Sequence, residues 1–187
     1  MKPITEFSAD EIYAVLTRLV QPRPVAIVTT FNAEGLPHAA PYSFCNLMGV
    51  NPPVLALGPS ANSLGEDKET LKNLEARKKF GVFFFDRAHM DTMAILASPS
   101  LTRWLDAGLE PCEAESASVP LIPSAASGFV CEWNSTHRIG QGPGATIVVL
   151  GEITGIQMPG DPTDYHPIAR MGGNQYLDTR IPEIFEP

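Results

Sequence analysis

Near the start of the chain apolar residues recur at helical spacing. Ile12, Val15, Leu16 and Leu19 fall on one face of the stretch Phe7–Leu19. Ser8 ahead of Asp10 and Glu11 suits an N-cap and an acidic first turn, and Pro22 and Pro24 end the run. A helix over about residues 7–20 is expected. The period then shortens: "VAIVTTF" (25–31) is compact and β-branched, "NAEG" (32–35) has turn chemistry, and "LPHAAPYSF" (36–44) resumes extended chain. That pair predicts a β-hairpin. "VLALG" (54–58) predicts a third strand, and Lys68–Lys79 a second helix with Leu71 and Leu74 on one face and Lys78 and Lys79 at its C-terminus.

Further on, "GVFFFD" (81–86), "GFVCEW" (128–133) and "TIVVLGEITGI" (146–156) predict strands. "MDTMAILA" (90–97) and "SLTRWLDAGL" (100–109) predict helical patches, and "VPLIP" (119–123) an extended, edge-like segment because of its flanking prolines. The polar tail turns at Gly172-Gly173. About six short strands in meander order predict a mainly β fold, an antiparallel barrel with peripheral helices. A parallel doubly wound sheet would need a crossover where the first two strands have only a turn. One domain is expected over 1–187, with a C-terminal tail from about residue 160.

One stretch breaks the alternation. "APYSFCNLMGVNPP" (40–53) sets Ser43, Cys45, Asn46 and Gly49 among Phe44, Leu47, Met48 and Val50. Small polar side chains and accessible backbone there suit a flat polar ligand. Lys68 and Thr70, at the start of the second helix, offer charge, a hydroxyl and free N–H groups to a phosphate. Together they suit a phosphorylated aromatic cofactor; a strand end beside an ordinary capped helix is the plainer alternative.

Composition narrows the function classes. Hydrophobic residues at 44% and charged residues at 18% describe a globular chain. The net charge of −8 argues against a nucleic-acid partner, though not against one small anion held locally. No run approaches a membrane span and the N-terminus has no signal-peptide core, so no membrane partner and a soluble, cytoplasmic protein are expected. Cys45, Cys112 and Cys131 form no C-x-x-C pair, so reduced cysteines are expected rather than a disulfide framework or zinc site. No two of His38, His89, His137 and His166 share i, i+3 or i+4 spacing, which removes support for a helical metal site. The Gly140–Gly144 run lacks the dinucleotide fingerprint and reads as a hairpin turn; His137, beside Arg138 just ahead of it, is a candidate ligand-facing residue. With no nucleophile elbow and no paired carboxylates, any chemistry falls to a cofactor.

Taken in order, the blocks resemble a family. "PRPVAIVTTFNAEGLPHAAPYSFCNLMGVNPPVLALG", "DKETLKNLEARKKFGV", "VVLGEITGI" and "IARMGGNQY" resemble the flavin reductase-like, FMN-binding split-barrel proteins of the flavoredoxin type. The resemblance runs from about Pro22 to Tyr176. It implies an antiparallel split β-barrel, a homodimer, and FMN, with FAD as the alternative, near the subunit interface. Ser43, Phe44, Cys45 and Asn46 would line the ring and ribityl chain. Lys68 and Thr70 would hold the phosphate, with Ser60 or Ser63 assisting. Arg23, His137, Arg170 and Gly172 are second-rank candidates for flavin or nicotinamide contacts. The chain departs from the family at Glu69, where Asp is usual, at Met48-Gly49, and over Ala97–Trp104.

Three functions stay open on this reading. The leading one is a flavin reductase taking hydride from NADH or NADPH, with a partner monooxygenase as an open question. The others are an FMN-binding electron-transfer protein without nicotinamide activity and a non-catalytic ligand-binding module.

Overall fold

The computed structural model describes residues 2–98, 100, 102–110, 118–158, 160–161 and 165–180. In chain order the elements are α1 (Ala9–Leu19), β1 (Arg23–Pro24), β2 (Ala26–Phe31), β3 (Pro37–Tyr42), β4 (Cys45–Val50), β5 (Pro53–Leu57) and α2 (Glu69–Arg77). They continue with β6 (Lys79–Phe84), α3 (Met90–Leu96), α4 (Arg103–Asp106), β7 (Ser127–Ile139), β8 (Thr146–Gln157), β9 (Ile168–Arg170) and β10 (Tyr176–Asp178). Seven strands form one antiparallel sheet in the order β3-β2-β6-β7-β8-β5-β4, and β1, β9 and β10 form a small second sheet.

The large sheet curls on itself. Tyr42 from one edge strand and Cys45 from the other pack in a single core with Val28, Leu55, Phe80, Val82, Cys131 and Val149. Only a barrel split between its two edges brings both into one interior. Leu71 and Leu74 of α2 close that interior. A Cβ on Gly151 would lie 2.4 Å from Phe80 Cζ, so only glycine lets this ring fill the barrel. A second core sits outside, where Ile27, Phe83 and Phe85 meet Met93, Leu96, Trp104 and Ile168.

The predicted hairpin is present, with Ala26 opposite Tyr42 and Phe31 opposite Pro37. The glycine run turns β7 into β8, and β7 extends past the predicted strand through His137 to Ile139. Two expectations change. "VPLIP" joins no ladder; Val119 and Ile122 are buried, and the Pro120 carbonyl accepts from Thr29 Oγ1 at 2.7 Å. Prolines at both ends leave it better suited to a packed loop than to an edge strand. In α1 Ser8 is the N-cap as expected, and Glu11 completes a capping box with it, but Thr17 is the helix's only buried residue and Val15, Leu16 and Leu19 stay exposed. The helix lies across the mouth of a groove instead of sinking its apolar stripe into the core. Cys45 and Cys131 are buried free thiols, pushed up to about 12 by burial, and Cys112 lies outside the described residues.

Candidate functional site

β3 ends at Tyr42, and the chain bends at Ser43-Phe44 before pairing again as β4. Gly58 at the end of β5 pins this bend by donating its N–H to the Phe44 carbonyl at 2.7 Å. A Cβ on Gly58 would stand 3.0 Å from Phe44 Cβ, so glycine allows the close approach. Ser60, at φ 48°, holds a left-handed conformation that costs a non-glycine residue energy and persists only where its surroundings impose it. Ala61 N–H, bound to the Ala145 carbonyl at 3.0 Å, ties this loop to the β7–β8 turn.

α2 then begins in an unusual way. Lys68 is its N-cap residue, yet its side chain caps nothing. Leu71 and Lys72 donate to the Lys68 carbonyl, leaving the first-turn N–H groups of Glu69 and Thr70 with no intrahelical acceptor. Burial lowers the pKa of Lys68, and its Nζ lies 5.9 Å from the Tyr42 ring centre. Among the described residues no ion pair involves Lys68. Asp67 and Glu75 are taken by Arg138, whose Nη2 reaches Asp67 at 2.8 Å and Glu75 at 3.3 Å. The Lys68 charge and the free N–H groups share one corner at the start of α2.

That corner opens on a cavity of about 700 Å³ walled by α1 (Asp10, Tyr13, Thr17), Tyr42–Phe44, Pro59, Ser60, Lys68 and Gly144. A second cavity of about 330 Å³ shares Tyr13, Pro41, Tyr42 and Ser43 with it and continues to Met90, Met93, Arg170 and Tyr176. The two form one groove with a cation at each end. Arg170 is braced there: Nη1 donates to Tyr176 Oη, Nη2 donates to Asn174 Oδ1 at 3.2 Å, and the guanidinium lies 4.7 Å from the Tyr176 ring centre.

The structure thus gathers Ser43, Phe44, Ser60, Lys68 and Arg170 along one groove and places the other candidates elsewhere. Thr70 is 1% exposed, its hydroxyl 3.1 Å from His38 Nε2, so only its backbone N–H remains for an anion. Cys45 and Asn46 face a separate, largely apolar cavity of about 410 Å³ with Leu47, Phe84, Phe129 and Tyr165. Arg23 borders that cavity too, but its guanidinium donates to the carbonyls of Thr17, Val20 and Met171, fastening the end of α1. Ser63 is exposed in a turn; His137 is exposed on β7 and pairs with Ser135. Gly172 packs on Arg18, where a Cβ would come within 2.6 Å of Cγ. Tyr13 and Tyr42 wall the groove without having been predicted. For Tyr42 the signal was present, an aromatic inside the irregular stretch; nothing in the sequence placed α1 over the site.

The fold is a split antiparallel barrel whose groove runs from the start of α2 to Arg170. Residues 18–171 match the flavin reductase-like domain family, and the chain belongs to that family. Membership makes it an oxidoreductase of the flavin-using kind. The crystal structure of nitrilotriacetate monooxygenase component B from Bacillus cereus superposes with a TM-score of 0.87 at 26% identity, covering 100% of this chain and 98% of that one. That of the Pseudomonas fluorescens 2-nitrobenzoate 2-nitroreductase NbaA gives 0.85 at 26% identity, covering 100% and 95%. YwrF of Bacillus subtilis, an uncharacterized protein, is 28% identical over 91% of this chain and 90% of its own length.

Proposed function

We propose that the groove holds FMN, with its phosphate at the start of α2, and that the chain is an NAD(P)H-dependent flavin reductase. The observation that carries this is the meeting of the Ser43-Phe44 bend with Ser60 and with Lys68, the N-cap of α2, in one cavity of about 700 Å³. That volume falls in the range of cofactor sites. A helix N-terminus and one ammonium beside it hold a phosphate without a basic surface, so a net charge of −8 is no obstacle. FAD would need its adenylate to leave the corner past Ser60 and the exposed Gly140–Gly144 turn.

Bound there, FMN supplies the hydride-accepting chemistry. The chain's own residues bind and orient. Ser43 and Phe44 present backbone and hydroxyl groups along the wall, Tyr13 and Leu16 of α1 exclude water, and Arg170 sets a positive charge at the far end, where it stabilises negative charge gained on reduction. None of these groups needs to give or take a proton.

A homodimer fits the edge strand β4, which exposes Leu47, Met48 and Val50 at 50%, 55% and 79%. A contiguous apolar edge of this kind is normally covered. The likeness to a monooxygenase component B supports a second protein, an oxygenase, as the consumer of reduced flavin.

Anaerobic mixing of FMN-loaded protein with NADH and NADPH tests the reading. Bleaching of the flavin by at least one nucleotide is expected. A flavin that binds but bleaches with neither would leave an FMN electron-transfer protein, and failure to bind FMN would leave a ligand-binding module of another kind.

A further inference from the structure

Beyond the groove assignment, and resting on it, we propose that the end of the groove opposite Lys68 is a separate binding site for a small planar carboxylate, held by Arg170. Room is available there. The larger cavity, about 700 Å³, is already the size of a cofactor site, and a further 330 Å³ or so lies past the shared wall of Tyr13, Pro41, Tyr42 and Ser43. That second volume stands at the lower end of small-molecule sites, the scale of one substituted ring. Its wall is apolar by design of the sequence: Met90, Met93, Ala94 and Ala97 recur at i, i+3, i+4 and i+7, so one face of α3 turns to the cavity. The two alanines leave space that larger side chains would take, and methionines adapt to the outline of a flat ligand.

Charge selects the ligand. Arg170 lines this cavity as its one cationic side chain, and no acidic side chain lines it among the described residues. Its hydrogen bonds go to Tyr176 Oη and Asn174 Oδ1, neither of them a carboxylate. A guanidinium has five N–H donors, so these two bonds leave others uncommitted. Among the described residues Arg170 is in no ion pair: Asp178, two positions beyond Tyr176, pairs with Arg87 and Arg180 instead. In a chain of net charge −8, a braced arginine left without an acidic partner at an apolar cavity has the makings of a carboxylate receptor. A neutral ring would leave the charge unmatched, and a bare inorganic anion would leave the α3 face unfilled. A carboxylate on a flat apolar body answers both. It would also offset the positive charge that stabilises electrons added in the groove, and by reciprocity reduction should weaken its binding.

Calorimetric titration of the FMN-loaded protein with benzoate and with benzamide, a neutral probe of the same shape, tests the site. Benzoate should bind with a dissociation constant below about 1 mM, and benzamide at least about 10-fold more weakly. Benzoate should bind the dithionite-reduced protein about 3–10-fold more weakly than the oxidised one. Arg170→Met should remove the preference for benzoate over benzamide. Ala97→Leu should fill the cavity and abolish benzoate binding with FMN affinity held within about 2-fold, and it keeps the test decisive if Arg170→Met does not fold. No saturable benzoate binding to protein that holds FMN, equal affinity for the two probes, or benzoate binding that survives Ala97→Leu would each overturn the proposal. The same titration without FMN separates the two levels. Benzoate that competes with FMN would lie in the larger cavity, which overturns this site alone. Protein that binds benzoate through Arg170 but never binds FMN would keep the carboxylate site and overturn the groove assignment.

Discussion

Replacing Lys68 by Met removes one charge while keeping a side chain of similar length. Lys68 is exposed overall, yet partial burial lowers its pKa, so some of its desolvation has already occurred before any ligand arrives. Two unit charges about 4 Å apart interact by about 4 kcal/mol at an effective dielectric of about 20, and hydrogen bonds to charged groups retain about 1.5–3 kcal/mol net. The first-turn N–H groups of Glu69 and Thr70 remain in the variant, which places the expected loss near 2 kcal/mol, or about 30-fold in the FMN dissociation constant. Quenching of flavin fluorescence measures it, with FMN and riboflavin titrated side by side. Riboflavin should lose less than about 3-fold, and added salt should weaken FMN in the native protein more than in the variant. Equal losses for both flavins, or none for either, would refute the phosphate corner.

Three other perturbations probe the surrounding frame. His38 should make stability pH-dependent: its folded pKa of about 4 lies below the ordinary value of 6.5, so the unfolded chain binds the proton first, and stability present above about pH 6.5 is lost as pH falls towards 4. For a ring that is only partly buried the loss is about 2 kcal/mol, read from urea midpoints at both ends of that range, and an unchanged slope in His38→Gln would contradict it. Phe80→Ala empties the centre of the barrel and should cost about 3–5 kcal/mol in chemical unfolding; a cost under about 1 kcal/mol would mean the ring is not packed as described. Arg138→Ala frees Asp67, the residue before Lys68, and Glu75 further along α2, and should weaken FMN about 3–10-fold with riboflavin unmoved, while loss of both flavins would indicate collapse of the loop.

Much of the scaffold was legible because local chemistry and tertiary context agree. Ser8 and Glu11 form their capping box, "NAEG" turns the hairpin, and the Gly140–Gly144 run turns β7 into β8. The short strands β9 and β10 were not readable, since three residues carry no period and β9, on which β10 pairs, is itself held by β1 more than a hundred residues earlier. The site was legible at its two anchors, the Ser43-Phe44 bend and Lys68, where irregular pattern and helix start each leave a local trace. Its subdivision was not. Strand alternation and the bend send Ser43 and Phe44 to one cavity and Cys45 and Asn46 to another. A helix-start threonine looks like a phosphate ligand until His38, 32 positions earlier, is found bonded to it. Arg23 resembles a ligand residue in sequence and is instead a clamp on backbone carbonyls.

The most direct measurement is a crystal structure of the protein soaked with FMN, read for the position of the phosphorus atom. The account predicts the phosphate at the start of α2, within hydrogen-bonding distance of Lys68 Nζ and the N–H groups of Glu69 and Thr70, with the ring along Ser43 and Phe44 towards Arg170. A phosphate away from α2, or a ring seated in the cavity bounded by Arg23, Cys45 and Tyr165 with the groove left open, would contradict it.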